Sequence, residues 1–251
     1  MVRQNRCLGC GECVPVCPEG CITLDGSIHT DRSRCKTCGR CAEACVRGAR
    51  ELSGYTTNAD KVMATVERDI PFFDQSRGGI TFSGGEPLLQ PEFLRALLIR
   101  SRDLGIHTVV DTSGFAPWTI FESLCDFVDL FLYDIKLFDE RRHLQYTGVS
   151  NGLILQNLKQ LLDKGNSIWL RMPLVPGIND DEENLRQMGG FIASLPGKPI
   201  LELMPYHDLA AAKFESLGIP YPLTNLKPPS RAEVQKSRQI LANCGVTVKA
   251  G

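Results

Sequence analysis

From about residue 55 onward the chain alternates short apolar runs with longer stretches in which apolar residues recur at helical spacing. Ile80–Phe82, Thr108–Val110, Val128–Tyr133, Ile168–Arg171 and Ile200–Met204 read as strands, being short apolar runs rich in β-branched and aromatic residues. Pro91–Leu104, Gly152–Lys164 and Asp181–Ser194 repeat apolar residues every three or four positions, as helices with one buried face do. Ser230-Arg231-Ala232-Glu233 has the form of a capping box and opens a last helix toward Cys244, with Val246–Val248 as a short final strand. Strands that alternate with helices predict parallel βαβ units. The change of texture divides the chain into residues 1–54 and 55–251.

Polar residues gather where each predicted strand ends. The first runs into Ser83-Gly84-Gly85-Glu86-Pro87, the second into Asp111-Thr112-Ser113-Gly114, the third into Asp134-Ile135-Lys136. The fourth carries Arg171 and the fifth leads into Tyr206-His207. Taken singly these are ordinary: a tight turn, a cap, a surface ion pair of little energetic weight, a rim histidine. In barrel enzymes, however, the C-terminal strand ends converge on one face. Five consecutive strands ending in polar groups therefore predict a barrel with a polar ligand rather than an open sheet with scattered loops.

Charge and hydropathy narrow the function classes. A formal net charge of −1 gives no sign of a general grip on nucleic acid or an anionic membrane, and leaves room only for a small local basic patch. No segment approaches the ~20 continuous apolar residues of a membrane span. The start, Met1-Val2-Arg3-Gln4-Asn5-Arg6, lacks the apolar stretch of a secretory signal. Of 11 cysteines only Cys125 and Cys244 lie beyond Cys45, whereas a secreted disulfide scaffold spreads its cysteines through its loops. Clustered thiols with no export signal predict metal binding in a reducing cytoplasm.

Cys7, Cys10, Cys13 and Cys17 form C-x2-C-x2-C-x3-C followed by Pro18, and the spacing recurs at Cys35, Cys38, Cys41 and Cys45. The doubled run resembles that of bacterial two-cluster ferredoxins, in which the fourth cysteine of each run ligates the other [4Fe–4S] cluster. The resemblance pairs Cys7, Cys10, Cys13 and Cys45 on one cluster and Cys35, Cys38, Cys41 and Cys17 on the other. Gly9, Gly11 and Gly39 suit loops folded tightly against inorganic sulfide. Structural zinc, which also favours C-x2-C pairs, seldom takes this triple-plus-one spacing twice. The second run has Val46 where proline is expected. Cys21 is left over and reads as a small buried hydrophobe.

Across almost its whole length the chain resembles the activating enzymes of glycyl radical enzymes, of the pyruvate formate-lyase activating enzyme type, in the radical S-adenosylmethionine (SAM) superfamily. The resemblance rests on the twin cysteine runs, Gly78-Gly79-Ile80-Thr81-Phe82-Ser83-Gly84-Gly85-Glu86-Pro87, Asp111-Thr112-Ser113-Gly114 and Asp134-Ile135-Lys136. It continues through Arg171-Met172-Pro173-Leu174-Val175-Pro176-Gly177 and Pro205-Tyr206-His207. It implies a partial TIM-like (β/α)6-type barrel lacking its first strand, preceded by a ferredoxin-like module. It also implies a radical SAM oxidoreductase in which a further [4Fe–4S] cluster binds SAM and an electron cleaves SAM to methionine and a 5′-deoxyadenosyl radical. That radical takes hydrogen from a glycine of a partner glycyl radical enzyme, with flavodoxin or ferredoxin as electron donor.

The same resemblance implies residue roles. Ser83, Gly84, Gly85 and Glu86 meet the amino acid end of SAM, where glycines permit close backbone approach. Lys136 offers its ammonium to a carboxylate and His207 contacts the nucleoside, making these the expected catalytic pair. Asp111, Thr112 and Asp134 supply oxygens for a monovalent cation beside SAM, with Ser113 in the same loop. Arg171 holds SAM or the partner peptide.

The superfamily's C-x3-C-x2-C motif, which supplies three thiolates to the SAM-binding cluster, does not occur in the 251 residues. The nearest approach is C-x3-C-x3-C at Cys13, Cys17 and Cys21. The expectation is a truncated form of an activating enzyme with impaired activity, its third cluster belonging to a full-length form. One alternative is an iron–sulfur electron carrier whose large domain docks a partner or SAM. Another is a radical SAM enzyme acting on a small molecule.

Overall fold

The computed structural model describes residues 1–250. Its strands in chain order are β1 (Ile22–Asp25), β2 (Ser27–Thr30), β3 (Gly79–Phe82), β4 (His107–Thr112), β5 (Leu130–Asp134), β6 (Ile168–Leu174), β7 (Ile200–Pro205) and β8 (Val248–Ala250). The helices are α1 (Arg40–Glu43), α2 (Ala59–Val66), α3 (Ile70–Ser76), α4 (Pro91–Asp103) and α5 (Trp118–Leu124), then α6 (Glu140–Thr147), α7 (Gly152–Asp163), α8 (Glu182–Ala193), α9 (Ala210–Leu217) and α10 (Arg231–Asn243).

The chain forms two compact units, one of Met1–Thr56 with His207–Leu226, the other of Thr57–Tyr206 with the chain from Lys227. The division at residue 54 differs from this arrangement, because it leaves 207–226 in the larger part. That segment returns to the N-terminal unit, where the Val2 N–H donates to the Ser216 carbonyl at 2.9 Å.

In the first unit β1 and β2 form an antiparallel hairpin with Asp25 opposite Ser27. Gly26 stands alone at the tip with φ +66°, a left-handed conformation that glycine adopts without a steric penalty. Ile22 and Ile28 pack with Cys13 and Cys21 into a small core. Val2 bridges Arg50 antiparallel, flanked by Arg3 N–H to Ala49 carbonyl (2.7 Å) and Glu51 N–H to Met1 carbonyl (3.2 Å).

The second unit holds a six-stranded parallel sheet in the order β3-β4-β5-β6-β7-β8. Strand order follows chain order throughout, the winding of a β/α barrel rather than the reversal of a doubly wound sheet. β3 and β8 are its end strands. Alternation along each strand sorts the two faces. Val110, Phe131, Tyr133, Leu170, Met172 and Leu201 are fully buried and join one core with Leu98, Leu158, Leu161, Leu185 and Leu241 from the helices. Each such side chain contributes roughly 1.5–3 kcal/mol of apolar burial. The other face carries Asp111, Leu132, Asp134, Trp169, Arg171 and Glu202, all half-buried.

Helix starts follow from their caps. Asn58, Asp139 and Asp181 accept from the third amide of α2, α6 and α8, and Ser230 with Glu233 completes the capping box of α10. Each cap contributes about 1 kcal/mol. The last strand begins two residues later than the apolar run Val246–Val248 suggests, since Val246 turns inward as a core residue at the end of α10.

Candidate functional site

All six strands of the sheet run the same way, so the loops after β3, β4 and β5 emerge at one edge. Arg171, within β6, is in register with Asp134 at the end of β5. Its guanidinium donates Nε and Nη2 to Asp134 Oδ1 (3.1 and 3.0 Å) and Nη2 also to Asp111 Oδ1. Ser83 Oγ donates to Asp111 Oδ2 at 3.1 Å, and Lys136 Nζ to Asp134 Oδ2 at 3.2 Å. One continuous polar chain thus runs Ser83–Asp111–Arg171–Asp134–Lys136 across β3, β4, β6 and β5. Burial lowers the Arg171 pKa, but the Asp134 and Asp111 carboxylates outweigh it and leave the guanidinium raised and firmly charged. Lys136, at one end of the polar chain, has a side chain 36% exposed against 16% for Arg171, and so keeps donors for a further anion.

Above this chain the glycine loop is open. Gly84 and Gly85 have φ of +89° and +69°, and a Cβ placed on either would meet nothing within 4 Å. Glu86, expected to face a cofactor, spends its carboxylate on the neighbouring loop. Oε1 accepts from Thr112 Oγ1 (2.8 Å) and Leu88 N–H (3.2 Å), while Oε2 accepts from Ser113 N–H (2.9 Å) and Ser113 Oγ (2.7 Å). Glu86 is a brace between two loops, and Thr112 and Ser113 are the groups it braces. Thr112, buried, also accepts from the Gly114 N–H at 3.0 Å. His207 directly follows Tyr206 but belongs to the other unit, where it is exposed.

Buried asparagines escaped the reading of the sequence. Asn157 donates to the Gly114 and Ala116 carbonyls (2.9 and 2.8 Å). Asn179 donates to the Lys136 and Pro173 carbonyls (2.8 and 2.6 Å) and accepts from the Val175 N–H. Asn184 joins the Phe138 N–H to the Asn179 carbonyl. The signal for Asn157 is present in the chain: it shares a helical face with Ile154, Leu158 and Leu161, a core position for a polar residue.

In the first unit eight cysteines divide between two cavities. Cys7, Cys10, Cys13 and Cys45 line one; Cys17, Cys35, Cys38 and Cys41 line the other, joined by Cys21, whose Sγ is 3.3 Å from that of Cys17. Burial raises the Cys45 pKa, but amide N–H groups of Arg50, Ala49 and Arg47 outweigh it and hold the thiol below its ordinary value, with Ala49 N at 3.2 Å from Sγ. Among the described residues no three metal-ligating side chains draw close enough for a single bare ion. The donor set, soft thiols around two separate spaces, four at one and five at the other with Cys21, has the chemistry iron–sulfur clusters require. The remaining cysteines, Cys21, Cys125 and Cys244, lie apart from one another in the chain and provide no third set.

The Radical SAM superfamily profile matches residues 32–188, and that of the 4Fe-4S dicluster domain matches residues 6–49. The choline trimethylamine-lyase activating enzyme of Oleidesulfovibrio alaskensis is 36% identical over 243 residues, covering 94% of this chain and 78% of the relative. The trans-4-hydroxy-L-proline dehydratase activating enzyme of Clostridioides difficile is 36% identical over 255 residues, covering 100% and 84%. Among solved structures, a domain of pyruvate-formate lyase-activating enzyme from Bacteroides vulgatus superposes with a TM-score of 0.60 at 36% identity, covering 69% of this chain and 99% of that domain. SAM and iron–sulfur clusters are the cofactors that these matches imply. With the parallel sheet, the strand-end polar chain and the cysteine module in place, the chain belongs to the activating enzymes of glycyl radical enzymes within the radical SAM superfamily.

Proposed function

We propose that the strand-end loops of the larger unit bind SAM and that the two cysteine cavities each hold a [4Fe–4S] cluster. The observation that carries the SAM reading is the polar chain from Ser83 to Lys136 beneath an open glycine loop. In this family the bound groups supply reductive cleavage of SAM and hydrogen abstraction from a glycine of the partner enzyme. The residues of this chain do the holding. Gly84 and Gly85 admit the amino acid end of SAM, Lys136 meets its carboxylate, and Arg171 fixes Asp111 and Asp134 beside it. Asp111, Thr112 and Asp134 would supply oxygens to a monovalent cation beside SAM. His207 is assigned to the nucleoside, and a flavodoxin or ferredoxin to electron supply.

The cluster reading is supported by the partition of the cysteines. Cys7, Cys10, Cys13 and Cys45 hold one cluster; Cys35, Cys38, Cys41 and Cys17 hold the other. Calorimetric titration of the anaerobically reconstituted chain with SAM tests the proposal. Binding is expected, weakened about tenfold by Lys136→Met, the loss of one charged hydrogen bond of about 1.4 kcal/mol. Absence of binding favours a pure electron carrier. In parallel, Cys13→Ala and Cys41→Ala are each expected to remove about half of about eight irons per chain.

A further inference from the structure

Between the two cysteine cavities stands one buried cation. Arg50 is 7% exposed and lines both spaces. Its backbone is pinned by the Val2 bridge, so the side chain enters the module from a fixed point. Nη1 donates to Thr30 Oγ1 at 3.0 Å and lies 4.0 Å from the Cys41 Sγ. Among the described residues Nε and Nη2 have no hydrogen-bond partner. Cys41 lines one cavity and Cys45 lines the other.

A guanidinium buried with two idle donors is a costly arrangement unless an anion meets it. No carboxylate does so here: the Glu51 side chain is taken by Arg3, and Glu19 by Lys36. What the cavities are built to receive is anionic, since a cubane held by four thiolates carries net negative charge. The unmet donors and the missing counter-charge therefore match.

We propose that Arg50 is a positioning residue shared by both clusters, giving N–H hydrogen bonds to sulfur on each side and tuning both reduction potentials. This rests on the assignment of two clusters to the two cavities. Reduction adds one electron and makes a cluster more negative, so a fixed positive charge with donors to sulfur favours the reduced state and raises the potential.

The test is a redox titration of the reconstituted full chain, followed by electron paramagnetic resonance, with iron and acid-labile sulfide measured on the same samples. Arg50→Met is expected to keep about eight irons per chain while both potentials fall. Arg50→Lys, which keeps the charge and loses the fork, should fall less. A merely structural arginine would lower the iron content and leave the potentials of surviving clusters unchanged, which overturns the proposal. So does a shift confined to one cluster. Should Arg50→Met not hold its clusters, the wild-type chain labelled with heavy-isotope nitrogen in arginine decides the matter. Hyperfine coupling of guanidinium nitrogen to the reduced clusters is expected, and its absence overturns the proposal. A wild-type chain that takes up far fewer irons fails the cluster assignment itself, a separate result.

Discussion

The Tyr133 hydroxyl occupies the place where a side chain on Gly114 would stand: a Cβ built on Gly114 falls 2.1 Å from that oxygen. Tyr133 is fully buried and donates to the Ile154 carbonyl at 2.7 Å, so it has nowhere to retreat. Its pKa is driven far above the ordinary phenol value by burial first and the Glu86 charge second, which keeps the hydroxyl proton in place. Gly114→Ala combines this collision with a φ of +77°, and is expected to cost about 3 kcal/mol. Gly84→Ala, with open space around it, should cost only about 1 kcal/mol, from backbone strain alone. Thermal unfolding of the two variants checks the contrast, and equal losses would refute it.

Glu86→Ala leaves the Ser113 N–H, the Ser113 and Thr112 hydroxyls and the Leu88 N–H without their acceptor. A loss of about 2 kcal/mol is expected, concentrated in the loops. Hydrogen exchange should show faster exchange at the Leu88 and Ser113 amides, with the helix α4 amides unchanged. Uniform acceleration across the unit would contradict a brace.

Arg171→Met leaves Asp111 without its cation and Asp134 with Lys136 alone, the two carboxylates being 21% and 20% exposed. Removing one partner of a buried ionic group costs about 3 kcal/mol, because the remaining charges repel and stay dehydrated. Adding Asp134→Asn should recover part of that loss, so a double-mutant cycle by denaturant unfolding is expected to show coupling of about 1 kcal/mol or more. Additive losses would mean that Arg171 acts through something other than these carboxylates.

Arg142 donates to Asp181 at 2.7 Å and to the Ile178 carbonyl, joining α6 to the cap of α8. The hydrogen bond from Arg142 holds the Asp181 carboxyl below the usual carboxylate range. A pKa depressed on folding stabilises the native state above the unfolded value of about 4, and that contribution fades as pH falls through the folded value. Both side chains are more than a third exposed, so screening limits the pair to about 1 kcal/mol. The stability difference between wild type and Arg142→Met should therefore shrink as pH falls from about 4 into the strongly acid range. A difference unchanged over that interval would assign the cost to lost packing.

Much of this arrangement is legible in the chain because its chemistry is local. The cysteine spacing, the capping box at Ser230 and the polar strand ends each declare themselves within a few residues. The roles of Glu86 and Arg171 are not local. A glutamate beside two glycines looks like a ligand group, and only the proximity of Ser113 shows where its oxygens go. Arg171 reads as a ligand-holding cation until register sets it against Asp134. The return of 207–226 to the first unit leaves no pattern at all, since α9 is a short helix with no fully buried residue.

The asparagines of the larger unit grip main-chain carbonyls and amides, not the side chains of the loops they hold. Loop shape and loop chemistry are therefore separable. A residue on the loop after β5 can be exchanged while the loop keeps its path, because Asn179 and Asn184 read only the peptide groups of Lys136 and Phe138. The scaffold is in this sense a mounting on which ligand-facing side chains can be interchanged. Re-engineering it for another partner should begin with those side chains and leave Asn157, Asn179 and Asn184 in place.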